Sequence, residues 1–327
     1  MRTRFELGIV ACLIACFAAA AWSAQPEAAR YPVRPVRIVI GFTPGGTPDI
    51  TARLIGVKLA DALGQPVVVD NRPGAGGTIG GKLVAEATPD GHTLLSVSAS
   101  HVLQPSIYAK MPYDTLKDFA GITRTSTACY LLVTSPSSPA RTAKDLLAQA
   151  KAKPGQLNFA SAGSGSGTHF AGEMFKHAAG IDVVHIPYKG IPESLTDTMA
   201  GRVQFFMSPL SGGIPLMKAG KLRALGVSCL KRVAAIPDVP TLAETVLPGF
   251  QADTWSGILA PAKTPRAIIN RLHAEITRIL ALPEIEQKMT ALGVDPDPTQ
   301  PAEFDKLIAE QVKAMAKLAR AAGIRPQ

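Results

Sequence analysis

Residues 36–65, VRIVIGFTPGGTPDITARLIGVKLADALGQ, run strand, glycine turn and helix with nothing between them. Residues 37–40 form a short β-branched run, which Gly41, Pro44, Gly45 and Gly46 break. Thr47 is expected as the N-cap, Pro48 at the first helical position, where its missing N–H costs nothing, and Leu54, Val57 and Leu59 as the start of an apolar stripe. A helix begun this way leaves its first amides unpaired and aimed at the turn, with the positive end of the dipole behind them. Small carboxylates and phosphates bind at such ends. An ordinary βα turn reads the same way, so a second segment matters. Residues 153–175, KPGQLNFASAGSGSGTHFAGEMF, repeat the pattern: a strand at 157–160, a loop of Ser161, Gly163, Ser164, Gly165, Ser166 and Gly167, and a helix from about Thr168. Two such turns facing each other would clamp a small acid.

A chain of 327 residues exceeds the ~100–200 of one domain and predicts two. Residues 1–24 belong to neither: Arg2 and Arg4, an apolar run over 7–21 and small residues through Ser23 and Ala24 have the form of a secretory signal. The run is short for a membrane span, which needs ~20 residues, so removal is expected and with it a periplasmic location. Leu13-Ile14-Ala15-Cys16 resembles a lipoprotein signal, but the apolar residues 17–22 that follow disfavour a lipid anchor at Cys16. The formal charge is +9, which steers acidic small molecules. Nucleic acid is rejected as a partner because the basic residues are scattered and only 6% are aromatic. Of four cysteines, Cys12 and Cys16 leave with the signal; Cys129 and Cys229 form either one bridge or two small buried residues.

From Tyr31 strands and helices alternate: strands at 37–40, 67–70 and 93–97, helices at 48–63 and 78–87, then a weakly polar stretch from Asp118 to Thr134. Alternation restarts with a helix at 143–151 and strands at 157–160, 183–187, 203–207 and 222–227, and a strand-like run at 250–259 precedes a mostly helical tail to Ala322. The pattern predicts parallel sheets covered by helices. The economical division is a first lobe of residues 25–124 and 252–327 and a second of 125–251, with ligand at the carboxyl ends of the strands.

Enzyme-like strings are weak. Gly76-Gly77-Thr78-Ile79-Gly80-Gly81-Lys82 spells most of a phosphate-binding loop, but Leu83 stands where the magnesium-binding hydroxyl belongs. Ser228-Cys229-Leu230-Lys231 lacks the partner motifs of a serine acyltransferase, and the serines at 161–166 never spell a nucleophile elbow. The six histidines show no metal spacing. No cofactor or metal is expected. An exported serine-type hydrolase of small esters or amides is the alternative class, with Ser166 and His169 as its candidates. Asp49 is favoured by the helix dipole alone, or else receives an ammonium, hydroxyl or water of the ligand.

Collinear strings over almost the whole exported chain carry a resemblance: PVRIVIGFTPGGTPDITAR, LGQPVVVDNRPGAGGTIGG (63–81), TPDGHTLL (88–95), MPYDTLKDF (111–119), VVHIPYKG (183–190), GKLRALGVS (220–228), PDVPTLAE (237–244) and WSGILAPAKTP (255–265). The chain resembles the Bug family, substrate-binding proteins of tripartite tricarboxylate transporters. The resemblance implies a two-lobed α/β periplasmic binding protein of type II, a Venus flytrap that closes on a small carboxylate and presents it to membrane permease subunits. It points to Thr43, Gly45, Gly46 and Asp49 on one jaw and Ala162, Gly163, Ser166, Thr168 and His169 on the other, with Ser98, Ser100 and Tyr188 completing the pocket. Departures from the family pattern are Pro48, His92, and Ser208-Pro209 where an acidic residue is common.

Overall fold

The computed structural model describes residues 30–321; the expected signal segment, with Cys12 and Cys16, lies outside them. The first unit is built from β1 (Val36–Ile40), α1 (Thr47–Leu63), β2 (Val67–Asn71), a 3₁₀ turn at Ala75–Gly77, α2 (Thr78–Ala85), β3 (Thr93–Ser98) and α3 (Ser100–Ile107). β1 lies between β2 and β3, parallel to both, with Ile38 opposite Val69 on one side and Leu94 on the other. Such a strand is covered on both faces, which is why it reads as an unbroken apolar run. The capping expectation changes: Gly46, not Thr47, is the N-cap, and Thr47 begins the helix. The stripe changes too. Val57 is 67% exposed, and the buried face of α1 runs through Ala52, Ile55, Leu59 and Leu63.

The weakly polar stretch after Asp118 is a single 16-residue strand, β4 (Phe119–Thr134). A second unit follows: α4 (Ala143–Ala152), β5 (Asn158–Ser161), α5 (Gly167–Ala179), β6 (Val184–Pro187), α6 (Ile191–Met199), β7 (Phe205–Pro209), α7 (Leu210–Lys218), β8 (Arg223–Val227) and α8 (Leu242–Thr245). The chain returns through β9 (Asp253–Pro261) to α9 (Arg266–Leu280), α10 (Pro283–Thr290), β10 (Asp295–Pro296) and α11 (Pro301–Ala321).

The sheet is mixed rather than parallel, in the order β2-β1-β3-β9-β4-β7-β5-β6, with β8 and β10 also on β4. Among the named strands parallel pairing is confined to β2-β1-β3 and to β7-β5-β6. Between them β4 and β9 run antiparallel, and β4 pairs with β9 over Phe119 to Cys129 and with β7 and β8 over Tyr130 to Thr134. One strand thus passes from one unit into the other, and two sets of cores result. The stripe of α9, Ile268, Ile269, Leu272, Ile276, Ile279 and Leu280, packs with β1 and α1. Phe159, Phe175 and Phe205 centre a separate core. Each such side chain contributes roughly 1.5–3 kcal/mol relative to exposure.

Cys129 and Cys229 are joined in a disulfide, with Cα atoms 5.6 Å apart. The register explains it: Leu131 faces Val227 across β4 and β8, so the same antiparallel register carried two residues on sets Cys129 opposite Cys229. Among the described residues no helix is long and apolar enough to cross a membrane.

Candidate functional site

Both glycine loops stand at carboxyl ends of parallel strands. The first leaves β1 and turns at Gly45, whose φ of +98° suits glycine, so that its amide donates to Asp49 Oδ2 at 3.0 Å. Asp49 is 3% exposed, and its Oδ1 accepts from Asn71 Nδ2 at 3.0 Å and Arg53 Nε at 3.1 Å. Both carboxylate oxygens are therefore engaged within the first unit, and the side chain pins the loop to the start of α1. Asp49→Ala should lower stability by about 2 kcal/mol, the scale of a lost charged hydrogen bond. By loosening the loop it should also weaken every acid ligand by a similar factor. Melting curves beside titration calorimetry check this; a loss confined to amino-bearing ligands would instead mark Asp49 as an ammonium receptor.

The second loop leaves β5 at Ser161. Ser166 is the N-cap of α5, its Oγ accepting from the His169 amide at 3.2 Å. Thr168 Oγ1 accepts from the Ala162 amide at 2.9 Å and lies 3.0 Å from Ser166 Oγ. His169 Nδ1 accepts from the Gly165 amide at 3.3 Å. Its ring stacks on His185 at 4.0 Å between centroids, and His185 Nε2 lies 2.6 Å from Ser161 Oγ. Ser166 and His169 thus meet through backbone, not as nucleophile and base.

These imidazoles are held neutral. His185 is pushed down to about 3, by burial first and then by His169 and Lys176. Burial lowers His169 as well and takes His101 to about 4. The unfolded chain binds those protons more tightly, so the stability these groups carry is complete above the ordinary value of 6.5 and is lost as pH falls from there toward about 3. The melting temperature should fall across that window, and less steeply in His185→Gln; identical slopes in the two proteins would contradict the assignment.

A small cavity of about 50 Å³ lies between the loops. Of the residues expected from sequence, Thr43, Gly46, Asp49, Ser98, Ala162, Ser166 and Thr168 line it. Gly45, Ser100, Gly163, His169 and Tyr188 are not in the lining. Gly45 and His169 brace the loops as above. Gly163 donates its amide to Ser161 Oγ at 3.1 Å, and Ser100 lies at the start of α3, 2.9 Å from Ser98 Oγ. Tyr188 donates its hydroxyl to Asp197 Oδ2 at 2.7 Å. Missed from sequence are Phe42 and Ile191, and on the crossing strands Tyr130 and Thr254, whereas Pro209, singled out as a departure from the family pattern, does line the cavity. Burial pushes the Tyr130 phenol up to about 12, so it is neutral.

The two units touch around this cavity. Tyr108 donates its hydroxyl to the Ser164 carbonyl at 3.1 Å, and Thr47 Oγ1 lies 3.1 Å from Ser211 Oγ. Gly190 abuts Thr43 so closely that a β-carbon there would lie 2.8 Å from Thr43 Cβ. Thr43 Oγ1 is buried without a hydrogen-bond partner. No Lys, Arg or His lines the cavity, so the positive ends it offers an anion are the starts of α1 and α5. Among the described residues no group of three or more His, Cys, Asp or Glu could hold a metal.

Two α/β lobes joined by crossing strands, with a cleft at the strand ends, are the architecture of periplasmic binding proteins. The chain belongs to the tripartite tricarboxylate transporter family of receptors, whose model matches residues 51–324. It is 34% identical to Protein BugT of Bordetella pertussis over 96% of this chain and 97% of that protein. Among solved structures it is similar to the periplasmic binding protein BugD (TM-score 0.87, 32% identity, 91% of this chain and 100% of that one). An R. palustris protein solved with adipate gives the same TM-score of 0.87, at 32% identity and over 91% and 100% of the two chains. MatC from Rhodopseudomonas palustris with bound malate gives a TM-score of 0.83, at 30% identity and over 88% and 99%. These proteins are solute receptors, not enzymes, and the hydrolase alternative falls with that.

Proposed function

We propose that this chain is an extracytoplasmic receptor that closes on a small carboxylate and delivers it to the permease subunits of a tripartite tricarboxylate-type transporter. The observation that carries the reading is the pair of helix starts facing one cavity across the cleft, with a buried, unpartnered Thr43 hydroxyl beside them. Adipate and malate in the two relatives support a carboxylate ligand. The jaws are assigned to Thr43, Gly46 and Asp49 in a first lobe of residues 25–124 and 252–327, and to Ala162, Ser166 and Thr168 in a second of residues 125–251. The passage of β4 from one set of partners to the other supports that division. Export through residues 1–24 would place the receptor in the periplasm.

Closure is a population shift: a ligand touching both jaws stabilises the closed form by contacts the open form lacks. A thermal-shift screen of small acids tests the reading, since a ligand at about 100 times its Kd adds about 2.7 kcal/mol of apparent stability. A shift with one or more acids is expected, and none with their amides.

A further inference from the structure

We propose that Tyr130 is a specificity-determining residue of this cleft, the wall that limits the bound acid to a short body. The proposal rests on the carboxylate reading above and narrows it by size, not by the number of charged ends. The cavity between the loops is about 50 Å³. That is room for roughly four water molecules, or for an acid of about four carbons. Directly beyond it lies a second, larger cavity of about 370 Å³. The two share three lining residues, Tyr130, Gly167 and Thr254. The partition between the small chamber and the large one is therefore an aromatic ring, a helix residue without a side chain, and a threonine.

The far end of the Tyr130 ring makes the seal. Its hydroxyl bonds to the Thr254 side chain, and it sits so close to α5 that a β-carbon on Gly167 would lie 2.6 Å from it. Glycine at 167 is what lets the ring reach the helix. The ring has little freedom to swing aside, because Tyr130 is 5% exposed and its backbone is held by Ser228 on both sides, at 2.8 and 2.9 Å. Cys129 beside it is tied to Cys229. Tyr130 is a fixed partition rather than a gate.

Beyond the partition, Leu103 of α3, Phe170 and Met174 of α5, Trp255 of β9 and Met315 of α11 give the larger cavity a broad apolar wall. An aryl group would find there the apolar contact that the small cavity has no room to offer. It reaches that wall from the loops only where the end of the Tyr130 ring now stands. Shortening this one side chain should join the two cavities and admit acids with a bulky apolar end.

Titration calorimetry on the purified exported chain tests this with butanoate, succinate and 4-phenylbutanoate, the last adding a ring to the far end of the same four carbons. The wild type is compared with Tyr130→Phe, Tyr130→Leu and Tyr130→Ala. The wild type should bind the better of the two short acids at least about tenfold more tightly than 4-phenylbutanoate. Tyr130→Leu and Tyr130→Ala should bind 4-phenylbutanoate at least about tenfold more tightly than the wild type does, while Tyr130→Phe, which keeps the ring, should hold the wild-type order. A merely structural role would weaken all three acids together. 4-Phenylbutanoate within about tenfold of the short acids in the wild type, or no gain for it in any folded variant lacking the ring, overturns the inference and leaves a carboxylate receptor. Should melting curves show that both such variants fail to fold, the wild-type comparison decides alone. Binding of none of the acids by any of the proteins overturns the carboxylate reading and the inference with it.

Discussion

Gly190→Val should abolish tight ligand binding while leaving the unliganded protein folded. Gly190 is extended, with φ −175°, so a side chain brings no backbone strain within the second lobe. Its obstruction lies across the cleft. A β-carbon there would overlap Thr43 Oγ1 and come within 2.8 Å of Thr43 Cβ and 3.1 Å of its Cγ2. Neither loop can retreat without opening the cavity, so the added atoms act against the closed form alone. A variant held open loses the contacts to one of the two jaws, and a loss of at least about 100-fold in affinity is expected on population-shift grounds. Calorimetry reads the affinity and a melting curve without ligand reads the fold. Affinity within tenfold of the wild type would show that the Thr43–Gly190 approach has no part in binding.

Removing the disulfide should have the largest effect on stability. Cys129 and Cys229 close a loop of 100 residues, and in the chain-entropy account a loop of that length constrains the unfolded state by roughly 3–5 kcal/mol. The double variant Cys129→Ser, Cys229→Ser should melt well below the wild type, and reductant should lower the wild type toward it. Cys129 precedes Tyr130, which lines the cavity and hands its backbone to Ser228 on both sides: its amide donates to Ser228 Oγ at 2.8 Å and its carbonyl accepts from the Ser228 amide at 2.9 Å. Those bonds keep the local register, so the variant should still bind ligand below its melting point. An unchanged melting temperature would contradict the covalent tie.

What could be read from sequence was the part of the site made locally. In each glycine loop a β-branched or apolar strand, the turn glycines and the helix start are adjacent in the chain, so their juxtaposition needs no tertiary information. Both loops stand where expected, and most of their residues line the cavity. Tyr130, Thr254 and Ile191 were illegible for the opposite reason. They lie on β4, β9 and α6; the pairing of the crossing strands brings the first two to the loops, and the packing of α6 brings Ile191. β4 itself was hidden because it does not alternate: Thr123, Thr125 and Ser126 are buried alongside Ile122 and Leu131, both faces being covered. Tyr188 follows a strand at the right end of the sheet, but its hydroxyl is satisfied by Asp197, a partner nine residues on that no loop motif announces. The cysteine pair waited on the β4–β8 register, which composition does not contain.

The two lobes are expected to close on an acid without altering it, and small-angle scattering of the purified exported chain reads that closure. With an acid that raises the melting temperature, the radius of gyration should fall on saturation. The fall should be absent in Gly190→Val, and the acid should be recovered unchanged from the denatured complex. Saturating binding with no change in the radius of gyration, or an acid recovered in altered form, would contradict the account.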